Sequence, residues 1–186
     1  MQASSPVNIS TRRAVIDDAP ALCALATHVY LDTYATDGIS RDMALDVQSA
    51  HSLQATEARL NDKYIEIIVA QAGEYLVGFV SLLKLSQCPV PHIKGPQILT
   101  LYVHPRFHQQ GIGHQLIGLA EKLAAHHASN DVAIDHAVWL KAWVGNTAAK
   151  AFYLRQGYED VGTTYYLTAQ NKFENRVFAK SLNKPT

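Results

Sequence analysis

Gln97–Leu123 reads QILTLYVHPRFHQQGIGHQLIGLAEKL: a β-rich run, a glycine-punctuated turn and an amphipathic helix in immediate succession. Gly111 and Gly113 stand where the chain leaves the strand, and glycine there permits a tight turn that brings bare backbone N–H groups up to a ligand. The helix that follows points the positive end of its dipole at the same spot. Together these features make an anion cradle, and the natural ligand is a phosphate group.

The turn also excludes ligands. No Lys-Ser or Lys-Thr follows Gly113, which argues against a P-loop. A dinucleotide fingerprint needs a third glycine three residues after the second, where this chain has Leu116, and no acidic residue closes a second strand about 20 residues on. Tyr102-Val103-His104-Pro105, followed by His108-Gln109-Gln110-Gly111-Ile112-Gly113, instead resembles motif A of the GNAT acetyltransferase superfamily. A second stretch, AVWLKAWVGNTAAKAFYLRQGYEDVG over Ala137–Gly162, is similar to that family's motif B: a strand, Asn146, a short helix with Ala149, Phe152 and Tyr153, then Gly157-Tyr158. The resemblance covers roughly residues 10 to 182, most loosely in the N-terminal, substrate-binding part. It implies one α/β domain over residues 1–186, with a mixed central sheet, helices on both faces and a flexible N-terminus at 1–9.

The resemblance also implies a site. Backbone N–H groups of Gln109, Gln110, Gly111, Ile112, Gly113 and His114 would cradle the pyrophosphate of acetyl-CoA, and the pantetheine arm would run strand-like beside Leu101, Tyr102 and Val103. Val103 matches the residue whose N–H polarises the thioester oxygen. Tyr153 occupies the position of the family's general acid, and a phenol with an ordinary pKa near 10 is protonated at neutral pH, as a donor must be. Asn146 would cap the motif B helix and bond the coenzyme, with Ala149 beside it. Two positions depart from the pattern. His108 stands where Arg or Gln is preferred, so Arg106 is left to supply charge near the pyrophosphate. Gln97 stands where many relatives carry the Glu that serves as base. Proton removal from the acceptor ammonium then falls to a water chain, to His104 or to a residue of the first helix such as Asp32. Tyr30 and Tyr34, one helical turn apart, would line the acceptor pocket or pack the helix.

Composition is compatible with this reading. A chain of 186 residues, 48% hydrophobic and 17% charged, suits one globular domain. Sixteen basic and sixteen acidic residues cancel, which argues against nucleic acid as a partner, because that binding needs a strong positive field. No apolar run reaches the ~20 residues of a membrane span, and neither a leader sequence nor a disulfide framework is evident, so the expected location is cytoplasmic. His126, His127 and His136 lack the spacing of a metal site, and no metal is expected.

Along the chain, Asp17 or Asp18 is expected to cap a helix opened by Pro20, with Leu22, Leu25, Ala26 and Val29 on its apolar face. A second helix is expected from Ser40 to Asn61, then a hairpin whose strands flank residues 71–74. Residues 86–96 read as a loop. The motif A helix shows an apolar stripe of Ile112, Leu116, Leu119 or Ala120, and Leu123, and ends at a polar break, Ser129-Asn130-Asp131. A strand over 138–143, a helix over 147–156 and β-like runs over 158–168 and 176–182 complete the chain. The function so implied is transfer of an acetyl group from acetyl-CoA by direct attack of a primary amine. The acceptor would be a small polyamine or amino-acid-like molecule; a protein N-terminus or lysine is the alternative, and a non-catalytic acyl-CoA-binding module is a third reading. The sheet edge is available for a homodimer.

Overall fold

Runs of Ile, Val and Leu make strands where both faces are covered, and the apolar i, i+3, i+4 pattern makes the helices that cover them. The computed structural model describes residues 8–90, 93–130, 134–167 and 172–182. Its elements are β1 (Ile9–Arg13), α1 (Ala19–Tyr34), α2 (Arg41–Ser49), α3 (Leu53–Asn61), β2 (Ile65–Ala72), β3 (Tyr75–Gln87), β4 (Lys94–Val103), α4 (Ile112–Asn130), β5 (Ala137–Trp143), α5 (Thr147–Arg155), β6 (Glu159–Leu167) and β7 (Lys172–Ser181). The strands form one mixed sheet in the order β1-β2-β3-β4-β5-β7-β6. The chain groups into two compact units, Met1–Ser81 with Thr100–Ile117, and Leu82–Leu99 with Gly118–Thr186.

In the first unit β1 lies antiparallel to β2, Ile9 opposite Ala72 and Arg13 opposite Ile68. Leu22, Leu25, Ala26 and Val29 of α1 pack on Ile67, Val69 and Phe79, with Tyr102 against the cluster. Each buried Leu, Val, Ile or Phe contributes roughly 1.5–3 kcal/mol. Residues alternate faces along a strand, so Gly78 looks away from the Phe79 face. On that side a Cβ at Gly78 would meet Leu116 Cδ1 at 3.2 Å and the Tyr102 carbonyl oxygen at 3.0 Å. Glycine there lets α4 sit close, and the strands of this unit carry α1 on one face and the start of α4 on the other.

In the second unit β4 runs parallel to β5, β5 antiparallel to β7 and β7 antiparallel to β6. One face buries Trp139, Val177, Ala179 and Cys88, packed with Val90, Ile93 and Val161. On β7, Phe178 and Lys180 alternate with Val177 and Ala179 and so face the other way. There Phe178 meets Tyr153 of α5, and Lys180 Nζ bonds Glu121 Oε2 of α4 at 2.8 Å.

Several expectations change. The stretch 40–61 holds two helices, because Ser52 starts α3 by accepting the Ala55 N–H at 3.1 Å, as Ser40 starts α2 with the Met43 N–H at 3.2 Å. Gly95 and Pro96 belong to β4 and residues 86–87 to β3, so the expected loop is strand at both ends, and its residues 91–92 lie outside the described residues. A Cβ at Gly95 would come within 2.8 Å of the Ala137 carbonyl oxygen, so the glycine permits close approach to β5. The buried stripe of α4 is Ile112, Leu116, Ile117, Ala120, Ala124 and Ala128, so Ala120 rather than Leu119 continues it and Leu123 is only half-buried. Ser129 and Asn130 are the last residues of α4, their side chains donating to the Ala125 and His126 carbonyls at 2.9 and 2.8 Å. Asp131 lies outside the described residues, as do residues 1–7 of the expected flexible N-terminus, whereas Ile9 opens β1. Asp18 precedes α1, but its carboxylate accepts two Arg12 N–H groups at 2.6 and 2.7 Å and the Val15 N–H at 2.8 Å, with no cap bond to α1. Those Arg12 bonds hold the Asp18 carboxyl below its ordinary pKa despite burial.

Candidate coenzyme site

The registered pairs of β4 with β5 are Gln97 with Trp139 and Ile98 with Leu140. The next residue, Leu99, is 41% exposed although it sits inside the strand. Beyond it Leu101, Tyr102 and Val103 are half-buried, and the Tyr102 ring meets Phe79 edge-on at 5.7 Å. β4 ends at Val103, and the His104 N–H goes to the Val77 carbonyl at 2.8 Å.

A short 3₁₀ turn, Pro105–Phe107, leads into the glycine turn. Gln109 has φ 60° and Gly111 φ 80°. Residues in this left-handed region next to ordinary ones curl successive N–H groups toward one point, a concavity suited to anions. Gln109 has a side chain and adopts the conformation nonetheless, the kind of local strain that concentrates at functional turns. The Gln115 N–H makes the first helical bond, to Gly111 O at 3.0 Å, and the amides before it, Ile112 and Gly113 among them, precede the intrahelical ladder. The turn is therefore made at Gln109 and Gly111; Gly113 lies in the first turn of α4. His108 turns back on the strand, its Nε2 2.9 Å from Val103 O, and Gln110 Nε2 donates to Arg106 O at 3.1 Å. His114 and Arg106 are exposed.

His104 has company that the sequence did not suggest. Its ring stacks on His28 of α1, centroids 4.8 Å apart and planes inclined by 23°, and its Nδ1 accepts the Arg106 N–H at 3.2 Å. That bond places the proton of the neutral ring on Nε2. Burial, then the charges of His28, Arg106 and His108, push the His104 pKa down, partly offset by Asp32. His28 and Asp32 lie one turn apart on α1, a spacing that was legible but carries no weight without the stack.

Tyr30 and Tyr34 are in contact at 5.1 Å. The Tyr30 hydroxyl donates to Asp46 of α2 at 3.0 Å and its ring meets His51 at 4.7 Å. Burial raises the Tyr34 phenol pKa. These contacts tie Tyr30 to α2, and Tyr34 to Tyr30. Gln97 is buried, its Oε1 accepting the Ser86 hydroxyl at 3.1 Å.

In the second unit, Asn146 Oδ1 accepts the Ala149 N–H at 3.0 Å and starts α5. Before it, Trp143 lies over Gly145, where any Cβ would collide with the indole ring. At the other end Gly157 has φ 83°, the Gly157 N–H returns to Leu154 O at 3.0 Å and the Tyr158 N–H to Tyr153 O at 3.1 Å. This pair of bonds is a Schellman cap, which needs the left-handed residue that glycine supplies. Tyr153 is only 8% exposed, between Phe178 at 5.8 Å and Tyr158 at 6.0 Å.

A mixed sheet with helices on both faces and a left-handed turn opening α4 defines an α/β protein. The chain belongs to the acetyltransferase (GNAT) family, whose model matches residues 17–158, a span running through both units. Its fold resembles that of the PaiA N-acetyltransferase of Thermoplasma acidophilum, solved with coenzyme A, at 20% identity over 94% of this chain and 99% of that one, TM-score 0.70. It also resembles a GCN5-related N-acetyltransferase of Rhodopseudomonas palustris, at 23% identity over 98% and 99% of the two chains, TM-score 0.68. A third is YncA of Salmonella typhimurium with acetyl-CoA, at 17% identity over 96% of each chain, TM-score 0.66. Among the described residues no helix is long and apolar enough to cross a membrane.

Proposed function

We propose that this chain works as one domain that transfers an acetyl group from acetyl-CoA to a primary amine of a small polyamine- or amino-acid-like molecule. The observation that carries this reading is the left-handed turn at Gln109 and Gly111 opening α4, directly after the end of β4. Family membership and the coenzyme-bound relatives of the same fold support it. The pyrophosphate rests on amides from Gln109 to His114, and the pantetheine amides extend along Leu101–Val103, the half-buried end of β4. Asn146 keeps its amide nitrogen for the coenzyme while its oxygen holds the Ala149 N–H.

The acceptor ammonium loses a proton, and its nitrogen attacks the thioester carbonyl. The Val103 N–H stabilises the oxyanion, worth roughly 3 kcal/mol of barrier. The carbon–sulfur bond breaks, and Tyr153 gives its phenolic proton to the leaving thiolate, recovering one from solvent. Per turnover, one ammonium and one acetyl-CoA become one amide, one free thiol and one released proton. Gln97 takes no part as a base, because an amide cannot accept the proton. The test is acetyl-CoA consumption and thiol release against polyamines, amino acids, aminoglycosides and short peptides. Turnover with a small amine is expected; a preference for peptides would move the acceptor to proteins. Coenzyme binding without any turnover would favour the non-catalytic module that Gln97 permits.

A further inference from the structure

The mechanism leaves unused a polar cluster in the second unit. Tyr158 is 2% exposed, and its hydroxyl, like Glu121 Oε1, is buried with no hydrogen-bond partner among the described residues. The other carboxylate oxygen of Glu121 holds Lys180 Nζ at 2.8 Å, and that ammonium lies 5.5 Å from the centre of the Tyr158 ring. Burial first, then the Glu121 charge, raise the Tyr158 phenol far above its ordinary pKa, so it stays protonated and is a donor in need of an acceptor. A buried phenol without a partner is costly, and the carboxylate whose charge it feels is that of Glu121.

Tyr158 is bound to Tyr153 twice over. Its N–H closes the Schellman cap on the Tyr153 carbonyl at 3.1 Å, and its ring stands T-shaped to the Tyr153 ring at 6.0 Å. Backbone and side chain of the residue carrying the acid therefore both rest on Tyr158, which rests on Glu121 and Lys180. Phe178 supports the Tyr153 ring from β7 but has no polar tie to hold it in one place.

We propose that Tyr158, anchored by Glu121 and Lys180, is a positioning residue that fixes the Tyr153 phenol for protonation of the leaving thiolate. The inference rests on the reading of Tyr153 as the acid, and a double-mutant cycle separates the two. Tyr158→Leu should lower kcat on the order of tenfold or more, with KM for acetyl-CoA and coenzyme affinity within about twofold of the parent. Tyr158→Phe, which keeps the ring and loses the hydroxyl, and Glu121→Gln should lower kcat by smaller factors. None of the three should reduce kcat further in a Tyr153→Phe background, because a residue acting through Tyr153 has nothing left to position. Equal losses in both backgrounds, or no loss in either, would overturn the positioning role while leaving the acid assignment standing. If Tyr153→Phe itself keeps full kcat, the acid reading and this inference fall together. Should Tyr158→Leu fail to fold, the Phe and Gln variants carry the cycle. A protein that turns over no acceptor is read by ¹³Cζ-tyrosine NMR, where Tyr158→Phe and Glu121→Gln should shift the Tyr153 signal. An unmoved Tyr153 signal would overturn the proposal.

Discussion

Two helices begin at the candidate site residues, and they begin differently. α5 is closed by its own chain: Asn146 Oδ1 takes the Ala149 N–H. α4 is preceded by Gly111, which has no side chain to offer its first amides, after a turn that passes through the left-handed region twice. Both starts carry the same dipole and the same need for acceptors. A helix start that closes on itself is a structural joint, and one preceded by glycine has no side chain at that position to close it. Motif matching alone does not draw that distinction, because each start was recognised by glycine or asparagine at the expected place.

The contrast can be attacked directly. Gly111→Val puts a β-branched residue at φ 80° and should weaken acetyl-CoA binding on the order of 100-fold by calorimetry, besides costing about 1–2 kcal/mol of stability. Unchanged affinity would break the assignment of the α4 start as the cradle. Asn146→Ala should cost about 1 kcal/mol of stability in denaturant unfolding, a larger effect on folding than on coenzyme affinity. Asn146→Ser restores an acceptor for the cap and should recover the stability without the affinity, if the amide nitrogen reaches the coenzyme. The other self-closed starts give a control: Ser52→Ala, which removes the bond to the Ala55 N–H, should lower stability by about 1 kcal/mol and leave acetyl-CoA binding untouched.

The smallest expected effect is on pH dependence. Burial lowers the pKa of both His104 and His51 from 6.5, so below that value the unfolded chain binds protons that the folded chain refuses. Their contribution is present above pH 6.5 and is lost as pH falls through the lowered folded values. Thermal unfolding between pH 7.5 and 5 should show a falling Tm, and His104→Asn should flatten part of that slope. A Tm that rises toward pH 5 would contradict both shifts. Asp18, whose pKa is lowered by Arg12, adds a separate loss at more acid pH.

Much of this architecture was legible where side chains and backbone agree. The α1 face, the β2–β3 turn, the β4-turn-α4 succession and the β5–α5 stretch all follow from apolar spacing and glycine placement. β1 was not, because Ile-Ser-Thr-Arg-Arg has no apolar alternation and its pairing with β2 is a backbone matter at a sheet edge. The break between α2 and α3 was hidden because Ser52 sits within a stretch whose helical character continues on both sides. Gly95 and Pro96 looked like a loop; glycine there answers the nearness of the Ala137 carbonyl, and Pro96 stands just before the residues Gln97 and Ile98 that pair with β5. At the candidate site Gly111 lies in the turn, as its place in the sequence implies, whereas Gly113 belongs to the first turn of α4. The His28–His104 stack and the Tyr158–Glu121 cluster were beyond reach, because each joins residues distant in the chain through contacts that leave no periodic trace.

The seat of Trp143 over Gly145 also gives the molecule its own optical label. Trp139 is sealed in the core and Trp143 is half-buried, immediately before the start of α5. The emission of the first should be blue-shifted and indifferent to additives in the solvent. The second should respond when anything settles beside Asn146, so a titration with unlabelled coenzyme can be followed by fluorescence, and Trp143→Phe should silence it.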